Sequence, residues 1–286
     1  MKAPLPWPDH PAINIIRVQS MSVRLNLFLK GNLDVYDTLF GQRIPGKADW
    51  NGINEVLRAG SRAVTVRVRH ETSIGFAAHA AAQAATPREV ADRAALFGPF
   101  TPTAQFSDSA FTSQHAALVL SVQADLFVPL VRHRTLDYLM HPYELRRWPA
   151  ADLDWLKSNF VPEPAPGAER CIEDLAGVIR RYRRSSDAPI LVFNVSSVVP
   201  GETIHSYKGA GDAMSQRIRR FNCALVDASA ELGFSIVDVD RIVAEHGARH
   251  LKFDPIHFNA EGCRLVCEEA VRILDDYGVL PEDQGA

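Results

Sequence analysis

Four cysteines occur among 286 residues, and no two of them form a Cys-x-x-Cys pair. Cys171, Cys223, Cys263 and Cys267 therefore supply neither a disulfide framework nor a standard zinc module. Cys263 and Cys267 lie four apart on one face of a predicted helix and read as small buried apolar residues in a reducing compartment. No apolar run approaches about 18 residues, so no membrane span is expected. The opening Met1-Lys2-Ala3-Pro4-Leu5-Pro6 carries no signal-peptide core, and a cytoplasmic location is expected. Positive charge is not in excess. The formal net charge of −3 removes the electrostatic case for nucleic acid or anionic membranes as partners. The dense basic run Arg180-Arg181-Tyr182-Arg183-Arg184 falls at a predicted helix end, where cations complement the dipole, and reads as solvated. One further absence bears on chemistry. The loop leaving the first predicted strand reads Lys30-Gly31-Asn32-Leu33-Asp34, with no serine in it.

A chain of this length, 47% hydrophobic and 23% charged, buries a full core without staples. Period-two alternation or short unbroken apolar runs predict strands at 23–29, 62–69, 125–131, 189–195 and 234–239. Amphipathic patterns and stop signals predict helices at 49–57, 87–97, 150–160, 169–183, 211–232 and 260–277, with Gly233 and Gly278 as left-handed stops. Residues 98–113 read as a long loop. Residues 1–20 read as an arm on a single domain spanning 21–280. Strands alternating with helices predict a parallel sheet covered on both faces: a three-layer α/β/α sandwich, flavodoxin-like, five strands in the order 2-1-3-4-5. Ligands in such folds sit beyond the carboxyl ends of the strands. The loops that matter are those at 30–38, 70–76, 132–144, 196–211 and 240–258.

Near the C-terminus the chain reads Phe253-Asp254-Pro255-Ile256-His257-Phe258-Asn259-Ala260-Glu261-Gly262. An Asp three residues before a His, at the mouth of a helix, suits a general base and the carboxylate that orients it. Structural readings stand beside this one. A histidine there also caps or plugs a helix, and Asp before Pro is an ordinary turn residue. Asp238 and Asp240, at the end of the last strand, read as helix caps. Tyr138, His141 and Tyr143 line a pocket or pack against Trp148.

Asp254-x-x-His257 followed by Gly262 resembles the fifth sequence block of SGNH (GDSL-like) hydrolases. Gly31-Asn32-Leu33 stands where that family has Gly-Asp-Ser, and Ser73-Ile74-Gly75 where it has its oxyanion glycine. The resemblance runs over roughly residues 22–276. It implies His257 and Asp254 as dyad members, and Gly31 and Gly75 as backbone oxyanion donors. The serine position holds Leu33, which has no lone pair for attack. The Gly-x-Asn block is replaced by something near Arg132-His133-Arg134.

Three chemistries stay open. His257 activates water or a substrate hydroxyl directly, with Arg132, His133 or Asn32 stabilising the developing charge. Asp34 or Ser73 replaces the serine as nucleophile. His70, Glu71 and His133, with His257 and Asp34, gather a metal, although no pair shows a diagnostic ligand spacing. The favoured expectation is an SGNH-like enzyme acting on an ester, amide or related acyl bond of a small-molecule substrate, with no cofactor. The alternative is a non-catalytic binding module on the same fold, for a small ligand or a protein partner.

Overall fold

The computed structural model describes residues 23–44, 47–81, 85–198, 213–254 and 256–281. The expected arm at 1–20 lies outside them. Five parallel strands form the central sheet: β1 (Val23–Lys30), β2 (Val64–Glu71), β3 (Ala117–Ser121), β4 (Ile190–Phe193) and β5 (Ser235–Val237). Their order is β5-β4-β3-β1-β2, the expected 2-1-3-4-5 arrangement. Val23 pairs with Val64, Leu27 with Ala117, Leu118 with Ile190 and Leu191 with Ser235.

Strand composition follows position. The central strands β3 and β4, Ala-Leu-Val-Leu-Ser and Ile-Leu-Val-Phe, are buried at every residue, as both faces are covered. The edge strand β2 alternates, with Val64 and Val66 inward and Thr65 and Arg67 outward. Side-chain alternation builds two cores. Leu27, Leu29, Val119, Leu191 and Phe193 pack on one face with α1 (Ile53–Ala59), α6 (Val239–His246) and α7 (Ala260–Asp276). Phe28, Leu118, Leu120 and Val192 pack on the other with α2 (Phe76–Ala80), α4 (Ala168–Tyr182) and α5 (Met214–Leu232). Gly177 of α4 touches α2 closely: a Cβ there would lie 2.8 Å from the Ala80 Cβ.

The predicted third strand is a correction. Residues 125–131 are outside the sheet, and Ala117–Ser121 takes the central place. Both segments are short apolar runs, which periodicity cannot separate. Pro129 denies its run a ladder donor. The Asp125 carboxylate takes the Phe76 N–H at 2.9 Å, and Gln123–Phe127 closes a short helix instead. Residues 131–133 then join an antiparallel sheet with Leu139–Met140 and Phe160–Pro162. This small sheet and α3 (Ala150–Asn159) surround a third core of Val90, Phe97, Phe106, Tyr138, Met140, Trp148, Leu156 and Phe160.

The loop expected at 98–113 contributes Phe106 to that core and folds into two turns, Pro102–Gln105 and Ser109–Thr112. Gln105 fixes it, accepting the His141 N–H at 2.8 Å and donating to the Phe100 and His141 carbonyls. The helix expected at 87–97 divides into Arg88–Ala91 and a 3-10 turn, Ala94–Leu96. The helix expected at 49–57 begins only at Ile53. The basic run is not simply solvated: Arg181 donates to the His79 and Ala81 carbonyls, and Arg183 to those of Ser186 and Ala188. No helix among the described residues is long and apolar enough to cross a membrane.

Candidate active site

The loop before α7 is built around Asp254. Its Oδ1 accepts the N–H groups of Ile256 and His257, both at 2.9 Å, closing an Asx turn. Its Oδ2 is left to accept from His257 Nδ1 at 2.6 Å. The Phe253 N–H donates to the His257 carbonyl at 2.9 Å, and Lys252 bridges to Phe258. Burial on its own would raise the Asp254 carboxyl; the hydrogen bonds from the His257 ring and the two N–H groups outweigh it and hold the group below its ordinary range. A proton held on Nδ1 leaves Nε2 with its lone pair. The His257 side chain is 32% exposed, and Nε2 has no partner among the described residues. The geometry is that of a general base carried by an orienting carboxylate.

Helix α7 starts from this loop with Asn259 as N-cap, its Oδ1 accepting the Gly262 N–H at 2.9 Å. Gly262 is required by close approach. A Cβ would stand 2.7 Å from the Leu251 carbonyl oxygen and 2.9 Å from the Phe258 ring. The glycine that follows the Asp-x-x-His pair thus lets α7 pack against its own entry loop.

The turn after β1 faces this loop. Asp37 carries the link: burial pushes its carboxyl up to about 6, the His257 imidazole draws it down, and the Asp34 carboxyl raises it. Leu33, at the expected serine position, is 48% exposed. Asp34 points inward. Its Oδ2 accepts the Ser121 hydroxyl, and burial raises its pKa.

The amides expected to hold an oxyanion are occupied. Gly31 N–H donates to the Glu71 carbonyl at 3.3 Å, Gly75 N–H to Ser73 Oγ at 3.1 Å, and Asn32 N–H to Asp34 Oδ1 at 3.2 Å. Asn32 Oδ1 accepts the Ser73 N–H at 3.3 Å, and its Nδ2 has no protein partner among the described residues.

Ser73 belongs to another histidine. Its hydroxyl lies 3.2 Å from His79 Nε2, which also accepts the Ile74 N–H at 3.3 Å. Both side chains are buried, and burial drives His79 well below its ordinary range, so this ring is neutral. Arg132 and His133 are drawn away from the dyad by the shifted third strand. Arg132 forks onto Glu163 at 2.8 Å and reaches Asp137 at 2.5 Å. His133 Nδ1 accepts the Thr135 and Leu136 N–H groups, leaving Nε2–H for Glu89 at 3.3 Å. The proposed metal set disperses as well. His70 Nε2 meets the Gly31 carbonyl at 2.9 Å, and Glu71 pairs with Lys30 and Arg69. Among the described residues no three His, Cys, Asp or Glu side chains gather as a metal site.

Two residues near this site, Gln123 and Lys252, escaped sequence reasoning, and a third, Asp37, was legible only as one of the polar residues after the first strand. Gln123 stands two positions beyond β3, where a Gly-x-Asn block would put its Asn. Its side-chain amide has no partner among the described residues. Correct placement of the third strand would have found it. Asp37 sits in a helical turn one step past Tyr36 and carries no motif. Lys252 stands two positions ahead of Asp254, carries no motif, and is buried.

No family model matches the chain, and no curated protein does. Solved structures do resemble it in chain path. LAE5, an α/β hydrolase enzyme from the metagenome of Lake Arreo, is 16% identical over 90% of this chain and 97% of its own, with a TM-score of 0.47. Axe2, an acetylxylan esterase from Geobacillus stearothermophilus, is 12% identical over 88% and 95%, with a TM-score of 0.47. A member of the lipolytic protein G-D-S-L family from Veillonella parvula is 11% identical over 88% and 98%, with a TM-score of 0.46. At these identities and scores the likenesses assign no residue a role.

Proposed function

We propose that this chain is an SGNH-like hydrolase acting on an ester, amide or related acyl bond of a small molecule, with His257 as base, Asp254 as its orienter and no serine nucleophile. The single observation that carries the reading is the 2.6 Å contact between His257 Nδ1 and Asp254 Oδ2, with Nε2 left without a partner among the described residues. Nε2 takes a proton from water or a substrate hydroxyl. That oxygen forms a bond to the acyl carbon, and the carbonyl electron pair moves onto the carbonyl oxygen. Collapse breaks the bond to the leaving group, which takes the proton back from the imidazolium. Gln123 and the Asn32 carboxamide are the uncommitted neutral donors for the developing charge. Asp34 and Ser73 are weaker nucleophile candidates, since one is buried against Ser121 and the other against His79.

A panel of p-nitrophenyl esters and amides tests this. His257→Ala is expected to lower turnover about 10²–10⁴-fold with the circular dichroism spectrum unchanged. Asp254→Asn is expected to lower kcat more than it changes KM, because the amide favours the wrong tautomer. Unchanged turnover in His257→Ala defeats the proposal.

The second reading, a non-catalytic binding module, is favoured by Leu33 in the serine place and by the occupied amides. It predicts no turnover on any member of the panel in the unmodified chain.

A further inference from the structure

Charge that develops at this site needs donors, and the two backbone amides expected to supply them, those of Gly31 and Gly75, are engaged elsewhere. Lys252 lies on the dyad loop, two residues before Asp254. It is 7% exposed, yet it forms no ion pair among the described residues. Among the described residues its ammonium makes one long hydrogen bond, to the Val198 carbonyl at 3.4 Å, and lies 5.6 Å from the centre of the Phe258 ring. An ammonium has three protons to donate, and burying one is costly unless each finds an acceptor. Burial accordingly lowers Lys252 to about 8, although Asp254 and Asp240 pull it upward.

Lys252 lines a cavity of about 10 Å³ together with Asp34, Asn194, Ser196, Ile256 and Phe258. That volume holds about one water-sized atom. Ile256 and Phe258 are the two chain neighbours of His257, and Asp34 follows Leu33. The cavity therefore lies between the dyad loop and the turn after β1. The Asp34 carboxyl lines the same space; burial raises its pKa and so favours the neutral form, which does not repel an anion, while the hydrogen bond it accepts from Ser121 pulls the other way.

We infer that Lys252 Nζ and this cavity receive one negatively charged oxygen of the bound molecule, the oxygen on which charge gathers when His257 drives attack at an acyl carbon. The assignment of that oxygen to an acyl group rests on the function proposed above; the anion site itself does not.

Acetate is the probe, titrated into the isotope-labelled full chain and followed by NMR. The Lys252 Cε–Hε signals and the His257 ring signals are expected to shift together and saturate at one midpoint. Lys252→Met is expected to weaken acetate by about tenfold or more, the usual effect of deleting a charged hydrogen-bond partner; His257→Gln is expected to retain binding. Lys252 signals that stay still in the unmodified chain overturn the inference, as does an unchanged midpoint in Lys252→Met. If Lys252→Met does not fold, the titration of the unmodified chain decides, because it reads Lys252 directly. Loss of the acyl-transfer reading shows separately, as full turnover in His257→Ala with the acetate result standing.

Discussion

Asp125 accepts the Phe76 N–H through one oxygen, while the other is buried with no partner among the described residues. Burial pushes this carboxyl up to about 7 from an ordinary 3.8, against the pull of the Phe76 N–H and with a further push from Asp174. The folded-state value is raised, so the stability it contributes is whole below 3.8 and is lost as pH rises through about 7. The total is on the order of 4 kcal/mol at most. Asp125→Asn retains the acceptor for Phe76 and cannot ionise. Its urea midpoint is expected to fall less across that window than that of the parent chain, in which Asp125 adds to the loss from Asp37; parallel curves count against the assignment. At this scale the sequence revealed the His257–Asp254 pair, because three residues of separation within one turn bring the two groups together locally. It did not reveal the Ser73–His79 pair, six apart, where a strand end and a helix must meet first.

Between elements, the contact of α2 with α4 depends on Gly177. Adding a methyl gains about 1 kcal/mol of helix propensity and loses about 1–3 kcal/mol to overpacking against Ala80. Gly177→Ala is expected to be destabilising by about 1 kcal/mol in urea unfolding. Ala80→Gly in the same chain removes the opposing methyl, so the double-mutant cycle shows a favourable coupling; additive effects place the strain elsewhere. The misplaced third strand belongs to this scale too. Two apolar runs separated by a few residues compete for one central slot, and only pairing with β1 and β4 chooses Ala117–Ser121. With Ala117–Ser121 in that slot, Arg132 and His133 fall in the small antiparallel sheet and Gln123 falls just beyond β3.

Across the whole molecule, the insertion core around Trp148 is separate from the two sheet cores. Its strands are three residues or fewer, too short to stand alone. Buried Lys30, at the end of β1, donates to the Ala104 carbonyl at 2.7 Å and to Glu71 at 3.2 Å, joining the insertion to the sheet. Urea unfolding is therefore expected to be one transition. Fluorescence from Trp50, read in a Trp7→Phe/Trp148→Phe/Trp155→Phe chain, should coincide with the far-ultraviolet circular dichroism of the parent and with Trp148 and Trp155 emission in Trp7→Phe/Trp50→Phe. An earlier transition for the last pair would show that the insertion unfolds by itself.

The amino-acid sequence by itself determined the five-strand, two-faced architecture and the Asp254–His257 turn. Hydrophobic period and short-range hydrogen bonding act within a few residues and are written in order along the chain. Tertiary structure alone decided which apolar run sits at the sheet centre and that the backbone amides of Gly31, Asn32 and Gly75 are already engaged. It also decided that Ser73 faces His79 and that Lys252 is buried beside Asp34. Each of these depends on groups far apart in sequence competing for the same protons and the same space, and only the packed chain resolves that competition.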